Sequence, residues 1–256
     1  MSAFTDPHFY QRQNAWTGVY TRPIIDFDRE RVTRLAELAG PGSWRILELG
    51  AGGGQTAVAL AEAGHTVTAL ELLPELADHA RTLAADLPAA QLTVIQADFY
   101  TADLPGPFDV VCYWDSFGLG DDEEQRRLLR RVAGWLAVDG CALLDVATPW
   151  HAAKAAGHGW GMKKAARRYG FDADGSRLTD TWTPLDADGN PDETQATTQS
   201  LRCYAPADLR LLLAGTGLTL TAVHPGGMMD YEAMSYHPAV PLAQAMSYTA
   251  RLSLTP

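Results

Sequence analysis

The sequence is short of positive charge. Twenty Lys and Arg stand against thirty-one Asp and Glu, a formal charge of −11 over 256 residues. Nucleic acids and anionic membranes reward clustered basic side chains, so neither is expected as the main partner. Long apolar runs are missing as well, and no segment suits a bilayer span. The stretch Met1 to Asp6 has neither a basic n-region nor an apolar h-region, so a cytoplasmic location is expected. Cysteine is scarce. Cys112, Cys141 and Cys203 are far apart, and the first two fall in apolar strand patterns, which favours packing over redox or metal work. The seven histidines show no metal-ligand spacing, and no metal is expected. Repeats and low-complexity tracts are absent. What remains is 46% apolar residues, enough to build a sizeable core in a single domain.

Along the chain, strand and helix patterns alternate. Trp44 to Leu49, Thr66 to Glu71, Leu92 to Ile95, Phe108 to Trp114 and Cys141 to Val146 read as five strands. Pro74 suits the first turn of a helix reaching about Asp86. Asp121 to Glu124 open another helix, with Arg126, Arg127, Arg130 and Arg131 further along, the order the helix dipole prefers. Leu218 to Val223 and Met246 to Leu254 supply two late strands, after a helix from Pro206 to Ala214. The expectation is an α/β fold: a doubly wound, mostly parallel seven-stranded sheet with helices on both faces. Residues 1–40 form an N-terminal helical lid, 41–149 a ligand-binding core, 150–204 an inserted cap and 205–256 the last helix and strand pair. Within the cap, Arg177 to Leu185 and Thr194 to Tyr204 read as a β-hairpin over the sheet's carboxyl edge.

The first strand runs into Glu48-Leu49-Gly50-Ala51-Gly52-Gly53-Gly54-Gln55. Glycines there let the backbone turn sharply and leave room for a ligand. The following helix aims its positive end at whatever lies in the turn. A P-loop would need Gly-Lys-Ser/Thr, which is absent. The dinucleotide fingerprint needs Gly or Ala where Gln55 stands. An acid ends the second strand at Glu71, suitably placed to accept from two ribose hydroxyls, and another follows the third at Asp98.

Glu48 to Gly54, with Glu71 and Asp98-Phe99, resembles the class I, Rossmann-like S-adenosylmethionine-dependent methyltransferases of the small-molecule type. The resemblance covers Trp44 to Val146 well and extends loosely through Arg202 to Leu209. It implies S-adenosylmethionine as cofactor. Gly50, Ala51 and Gly52 would back its methionine portion and Glu71 would hold the ribose. Leu72 would pack on the adenine, and Asp98 would accept from the adenine amino group beside Phe99. Trp114 and Asp115 would border both cofactor and acceptor, and the lid would bring Tyr20. Glu48 is either a direct contact or a structural acid bonding loop amides, and Asp98 is alternatively a turn cap.

A sulfonium cofactor suits an acidic, aromatic-lined site. Its methyl moves by in-line displacement, for which an amine acceptor needs only deprotonation and a hydroxyl needs a base. Asp115 and His151, at carboxyl ends of strands four and five, are the catalytic candidates. His151 is read as lying in a loop. Tyr10, Trp16, Tyr113, Trp150, Trp182, His224, Met228 and Tyr231 are candidates for lining an apolar or aromatic acceptor pocket. Ordinary packing or an oligomer contact would use the same residues, and a homodimer is compatible with them. Lys163, Lys164, Arg167 and Arg168 read as a solvated helix face, or as an attractor for an anionic acceptor. The leading function is methylation of a small molecule at N, O or C, such as occurs in specialised metabolism. The alternatives are a peptide or protein methyltransferase and a protein using the same cofactor for another reaction.

Overall fold

Apolar strands that are covered on both faces must lie inside, and the central strands do. A computed structural model describes residues 8–255; residues 1–7 of the expected lid lie outside the described residues. Two helices come first, α1 (Phe9–Thr17) and α2 (Asp26–Ala39). The core follows: β1 (Arg45–Leu49), α3 (Gln55–Glu62), β2 (Thr66–Glu71), α4 (Pro74–Leu83), β3 (Leu92–Gln96), β4 (Phe108–Phe117), α5 (Asp122–Trp135) and β5 (Leu136–Ala147). After α6 (Pro149–Ala155) come β6 (Gly159–Met162), β7 (Ala165–Asp172), β8 (Arg177–Pro184) and β9 (Thr197–Arg202). The chain closes with α7 (Pro206–Leu213), β10 (Leu218–Pro225), β11 (Met228–Asp230), β12 (Ser235–His237) and β13 (Ser247–Leu254).

Seven strands form the main sheet in the order β10-β13-β5-β4-β1-β2-β3. Its pairs are parallel except those made by β13, which runs antiparallel to both β5 and β10. This is the expected mostly parallel seven-stranded sheet. Side-chain alternation splits its core in two. Leu47, Leu49, Tyr113, Phe117 and Leu144 pack with Leu128, Leu129, Leu209 and Leu212 of α5 and α7. On the other face Ile46, Cys112, Trp114 and Leu143 pack with Leu35 of α2 and Ala57 and Leu60 of α3. Helix α5 starts as its acids predict. Asp121 accepts from the Glu124 amide at 2.8 Å and Glu124 accepts from the Asp121 amide at 2.9 Å, a reciprocal cap.

The cap differs from the sequence reading. The expected hairpin, β8 with β9, is the far half of a four-stranded antiparallel sheet in the order β6-β7-β8-β9. Lys163, Lys164, Arg167 and Arg168 were expected on a solvated helix face or as an attractor for an anionic acceptor. Arg167 and Arg168 instead lie on β7, and Lys163 and Lys164 make the turn before it. Gly159, Gly161 and Gly170 dilute the alternation by which such strands are recognised. His151, expected in a loop, lies in α6, whose first turn is opened by Pro149.

Candidate active site

The carboxyl edge of the sheet is roofed by α1, α2 and the cap, and encloses a cavity of about 600 Å³. One wall is the glycine turn after β1. Gly50, Gly52 and Gly54 hold φ of 60°, 55° and 83°, in the left-handed region where a Cβ is costly. Glu71, at the end of β2, fixes this turn. One of its oxygens accepts from the Gly52 amide and the other from the Leu73 amide, both at 2.8 Å. Burial pushes the Glu71 carboxyl up, and these amides oppose the push. Gln55, which breaks the dinucleotide pattern, has a role here. Its side-chain amide donates to the carbonyls of Tyr20 and Arg22 at 2.8 and 2.9 Å, tying the lid to the turn.

Above the turn is an acidic crevice. Alternation along adjacent strands sets Glu48, Trp114 and Asp145 on the sheet face covered by α2. Glu48 is only 3% exposed and its Oε2 has no hydrogen-bond partner. Burial raises its carboxyl to about 8, with nearby Arg31 acting the other way. Asp145 accepts from the Thr249 hydroxyl at 2.7 Å, and burial, reinforced by Asp115, pushes it up to about 6. Arg31 of α2 pairs with Asp115 and lies over the Trp114 ring at 5.7 Å. Asp115 itself holds φ 65°, a left-handed conformation unusual for a residue other than glycine.

The opposite wall comes from the lid and cap. Arg167 forms a two-pronged pair with Asp180, at 2.8 and 2.7 Å. Its guanidinium lies 4.6 Å from the Tyr169 ring, 4.9 Å from Trp182 and 5.3 Å from Trp160. Tyr10 donates to Gln199 at 2.9 Å and so joins α1 to β9. His151 Nε2 lies 3.3 Å from the Tyr231 hydroxyl, and Tyr231 stacks on His158 at 4.9 Å. Burial, helped by Lys154, lowers the His151 pKa, so the ring is neutral near pH 7.

Of the residues singled out in the sequence, Glu48, Gly50, Ala51, Gly52, Glu71, Leu72, Phe99, Trp114 and Tyr20 line this cavity. So do Asp115, His151, Tyr10, Tyr113 and Tyr231. Asp98 does not line it, although its neighbours Ala97 and Phe99 do. Its carboxylate accepts from the Tyr100 amide at 2.7 Å and caps the turn after β3. Trp16, Trp150, Trp182, His224 and Met228 are also outside the lining. Trp182 is 1% exposed and packs with Phe9 and Ala165, with Trp16 against them. Trp150 donates to the Ala245 carbonyl at 3.2 Å. His224 and Met228 belong to β10 and β11. The sequence reading had not singled out Arg31, Asp145, Tyr169 or Asp180, all of which line the cavity.

Comparison with known proteins bears on this arrangement. A family model described as a methyltransferase domain matches residues 46–140. The search of curated proteins finds no match. Among solved structures, the chain is similar to the CcbJ methyltransferase from Streptomyces caelestis, with 22% identity and a TM-score of 0.75, over 100% of this chain and 99% of that one. It is similar to the glycopeptide N-methyltransferase MtfA complexed with S-adenosylmethionine, with 22% identity and a TM-score of 0.60, over 89% and 94% of the two chains. It is also similar to CalS10 from Micromonospora echinaspora, an amino pentose methyltransferase of calicheamicin biosynthesis, with 18% identity and a TM-score of 0.58, over 90% and 92%. Residues 46–140 match the model of a methyltransferase domain, and the chain has the Rossmann-like fold of these methyltransferases, one of which is complexed with S-adenosylmethionine. The residues present fit that cofactor. Glu71 faces the cavity with lone pairs to spare, Leu72 offers an apolar surface 51% exposed, and Glu48 brings an unpartnered oxygen to the glycine turn.

Proposed function

We propose that the protein transfers the methyl group of S-adenosylmethionine to the amine nitrogen of a small molecule. The observation that carries this reading is the charge of the roofed cavity. Asp28, Glu71, Asp115, Asp145 and Asp180 line it against Arg22, Arg31 and Arg167. Each arginine is already paired with one of those acids. The surplus carboxylates favour a cationic guest over an anionic one. MtfA is a glycopeptide N-methyltransferase and CalS10 an amino pentose methyltransferase, which supports such an acceptor.

When bound, S-adenosylmethionine supplies a methyl group activated by its sulfonium. The chain's own residues do the rest. Glu71 would receive the ribose hydroxyls, Leu72 and Phe99 would border the adenine, and Gly50 and Gly52, which carry no side chain, would let the backbone of the turn approach the methionine portion. Tyr10 and Tyr20 from the lid, with the cap, keep water out and hold the acceptor in one orientation. Orientation of this kind supplies about 7–11 kcal/mol in favourable cases. Neutral His151 receives the proton that an ammonium acceptor must lose before its nitrogen can attack.

The test is to incubate the enzyme with methyl-labelled S-adenosylmethionine and matched small molecules carrying amine or hydroxyl groups, with peptides alongside. Label on nitrogen of a small amine is expected. Label confined to oxygen, carbon or peptide would overturn the acceptor assignment. Label nowhere, despite cofactor binding, would favour another reaction. His151→Ala should lower turnover roughly 10- to 100-fold with cofactor affinity unchanged; full turnover would remove the base role.

A further inference from the structure

Tyr231 reaches the cavity on a ribbon of its own. The segment between β10 and β13 leaves the main sheet and pairs only with itself, β11 with β12. Its base is stitched to the chain entering β13. There the Gly226 amide donates to the Ser247 carbonyl and the Met246 amide to the Gly227 carbonyl, both at 2.9 Å. Its tip is turned by Asp230, whose carboxylate accepts from the amides of Glu232 and Ala233 at 2.9 and 3.0 Å. A two-stranded ribbon of this size has little stability alone. At the tip, the Tyr231 ring meets the cap. It lies 18° from the plane of His158, with Trp160 at 5.9 Å and the edge of Tyr169 at 6.4 Å.

Packing alone does not account for a tyrosine here. A phenylalanine would fill the same stack and bring no hydroxyl to a half-buried place. Among the described residues the Tyr231 hydroxyl has one hydrogen-bond partner, His151 Nε2 at 3.3 Å. His151 is held by α6 and is 6% exposed. Its other nitrogen, Nδ1, bonds to none of the described residues and is not sealed in by them. Both rings line the cavity. A neutral imidazole has one N–H and one lone pair, and the group met by one nitrogen decides what the other carries.

We propose that Tyr231 is the positioning residue for His151: its hydroxyl oxygen accepts Nε2–H and so keeps the lone pair on Nδ1, toward the acceptor. The opposite arrangement, Tyr231 donating to Nε2, would put N–H on Nδ1 and leave no base at the cavity. The assignment rests on the amine methylation proposed above, with His151 as its base. A proton passes from the acceptor's ammonium nitrogen to Nδ1. The ring becomes imidazolium, its Nε2–H still bonded to the Tyr231 oxygen. The amine keeps the electron pair that attacks the methyl carbon, and the pair of the broken C–S bond returns to sulfur. Because the ribbon carries Tyr231, the base is aligned only while the ribbon is docked on the cap.

The experiment is nitrogen NMR on protein labelled at its histidine rings, above neutral pH, with the His151 signals assigned by their absence in His151→Ala. In wild type, Nε2 should carry the hydrogen and Nδ1 should be bare. Tyr231→Phe keeps the stacked ring and removes the oxygen. It should shift the tautomer ratio roughly 3- to 10-fold toward Nδ1–H, the worth of one hydrogen bond. Hydrogen on Nδ1 in wild type, or a ratio unmoved by Tyr231→Phe, would overturn the proposal. The wild-type tautomer is read without the Tyr231 variant, so that arm stands if Tyr231→Phe folds poorly. Turnover gives a second arm, using the labelling assay above and the amine of that panel which takes most label. Tyr231→Phe should lower kcat roughly 3- to 10-fold with KM little changed, and should cost nothing further in a His151→Ala background. Equal losses in both backgrounds would overturn the positioning role. Full turnover of His151→Ala would overturn the base reading, and the positioning role with it; a wrong tautomer beside a His151→Ala loss would overturn the positioning role alone.

Discussion

The two walls of the cavity are built on different principles. The wall at the glycine turn is made of backbone amides and acids at the ends of parallel strands. Its charges are poorly matched: Glu48 lacks a partner for one oxygen, and Arg31 serves several acids at once. The wall contributed by the cap is self-sufficient. Arg167 and Asp180 satisfy one another, and aromatic rings enclose the pair. Unmatched groups await a ligand, whereas matched groups set a shape. On the proposed function, cofactor recognition belongs to the first wall and discrimination among acceptors to the second.

That contrast can be broken by substitution. The largest effect is expected at Glu48. Its unfolded value is near 4.5 and its folded value about 8. Between those limits the unfolded chain loses a proton that the native state retains, so stability falls as pH rises. Each pH unit costs up to about 1.4 kcal/mol at this one site. Glu48→Gln should escape the fall, melting several degrees above wild type at pH 8 and near it at pH 5. Parallel melting profiles would show that Glu48 is ionised in the native state. Next comes Glu71→Ala, which removes the proposed ribose acceptor and frees the amides of Gly52 and Leu73. S-adenosylhomocysteine should bind roughly 100-fold more weakly by calorimetry. Unchanged affinity would contradict the cofactor wall as described.

A smaller effect is expected in the cap. Asp180→Asn leaves Arg167 half-paired and should cost roughly 2–3 kcal/mol of stability. S-adenosylhomocysteine affinity should stay within about twofold, since the two walls act independently when well separated. A matching loss of affinity would show that they are coupled. At the bottom of the scale, His224→Ala should alter neither cofactor affinity nor turnover, because His224 is on β10 outside the cavity.

The same contrast explains what could be read from the sequence. Glu48, the glycine turn and Glu71 lie at the ends of strands that alternate with helices, so local pattern and spacing announce them. The mostly parallel seven-stranded sheet follows from that alternation too. Arg31 looks, in sequence, like any arginine on a charged helix; only the packing of α2 on the sheet turns it toward Glu48 and Asp145. Arg167 and Asp180 are thirteen residues apart and meet through the β7–β8 pairing, which glycine-diluted strands do not advertise. Trp182 misled for the opposite reason. A large aromatic in a cap suits a pocket, yet its surface is consumed by Phe9 and Ala165. Asp98 sits where the family pattern wants an acid, but its carboxylate caps its own turn.

Gly53 carries a consequence of its own. A methyl group there would stand 1.6 Å from the Tyr20 carbonyl oxygen, which belongs to the lid and not to the turn. Gly53→Ala would therefore act as a wedge under the hinge of the N-terminal segment while leaving Glu71 and the neighbouring amides in place. The smallest possible side chain at this one spot should convert a closed vessel into a leaking one, visible as faster proteolytic nicking between α1 and α2 and as cofactor hydrolysed or released before the acceptor arrives.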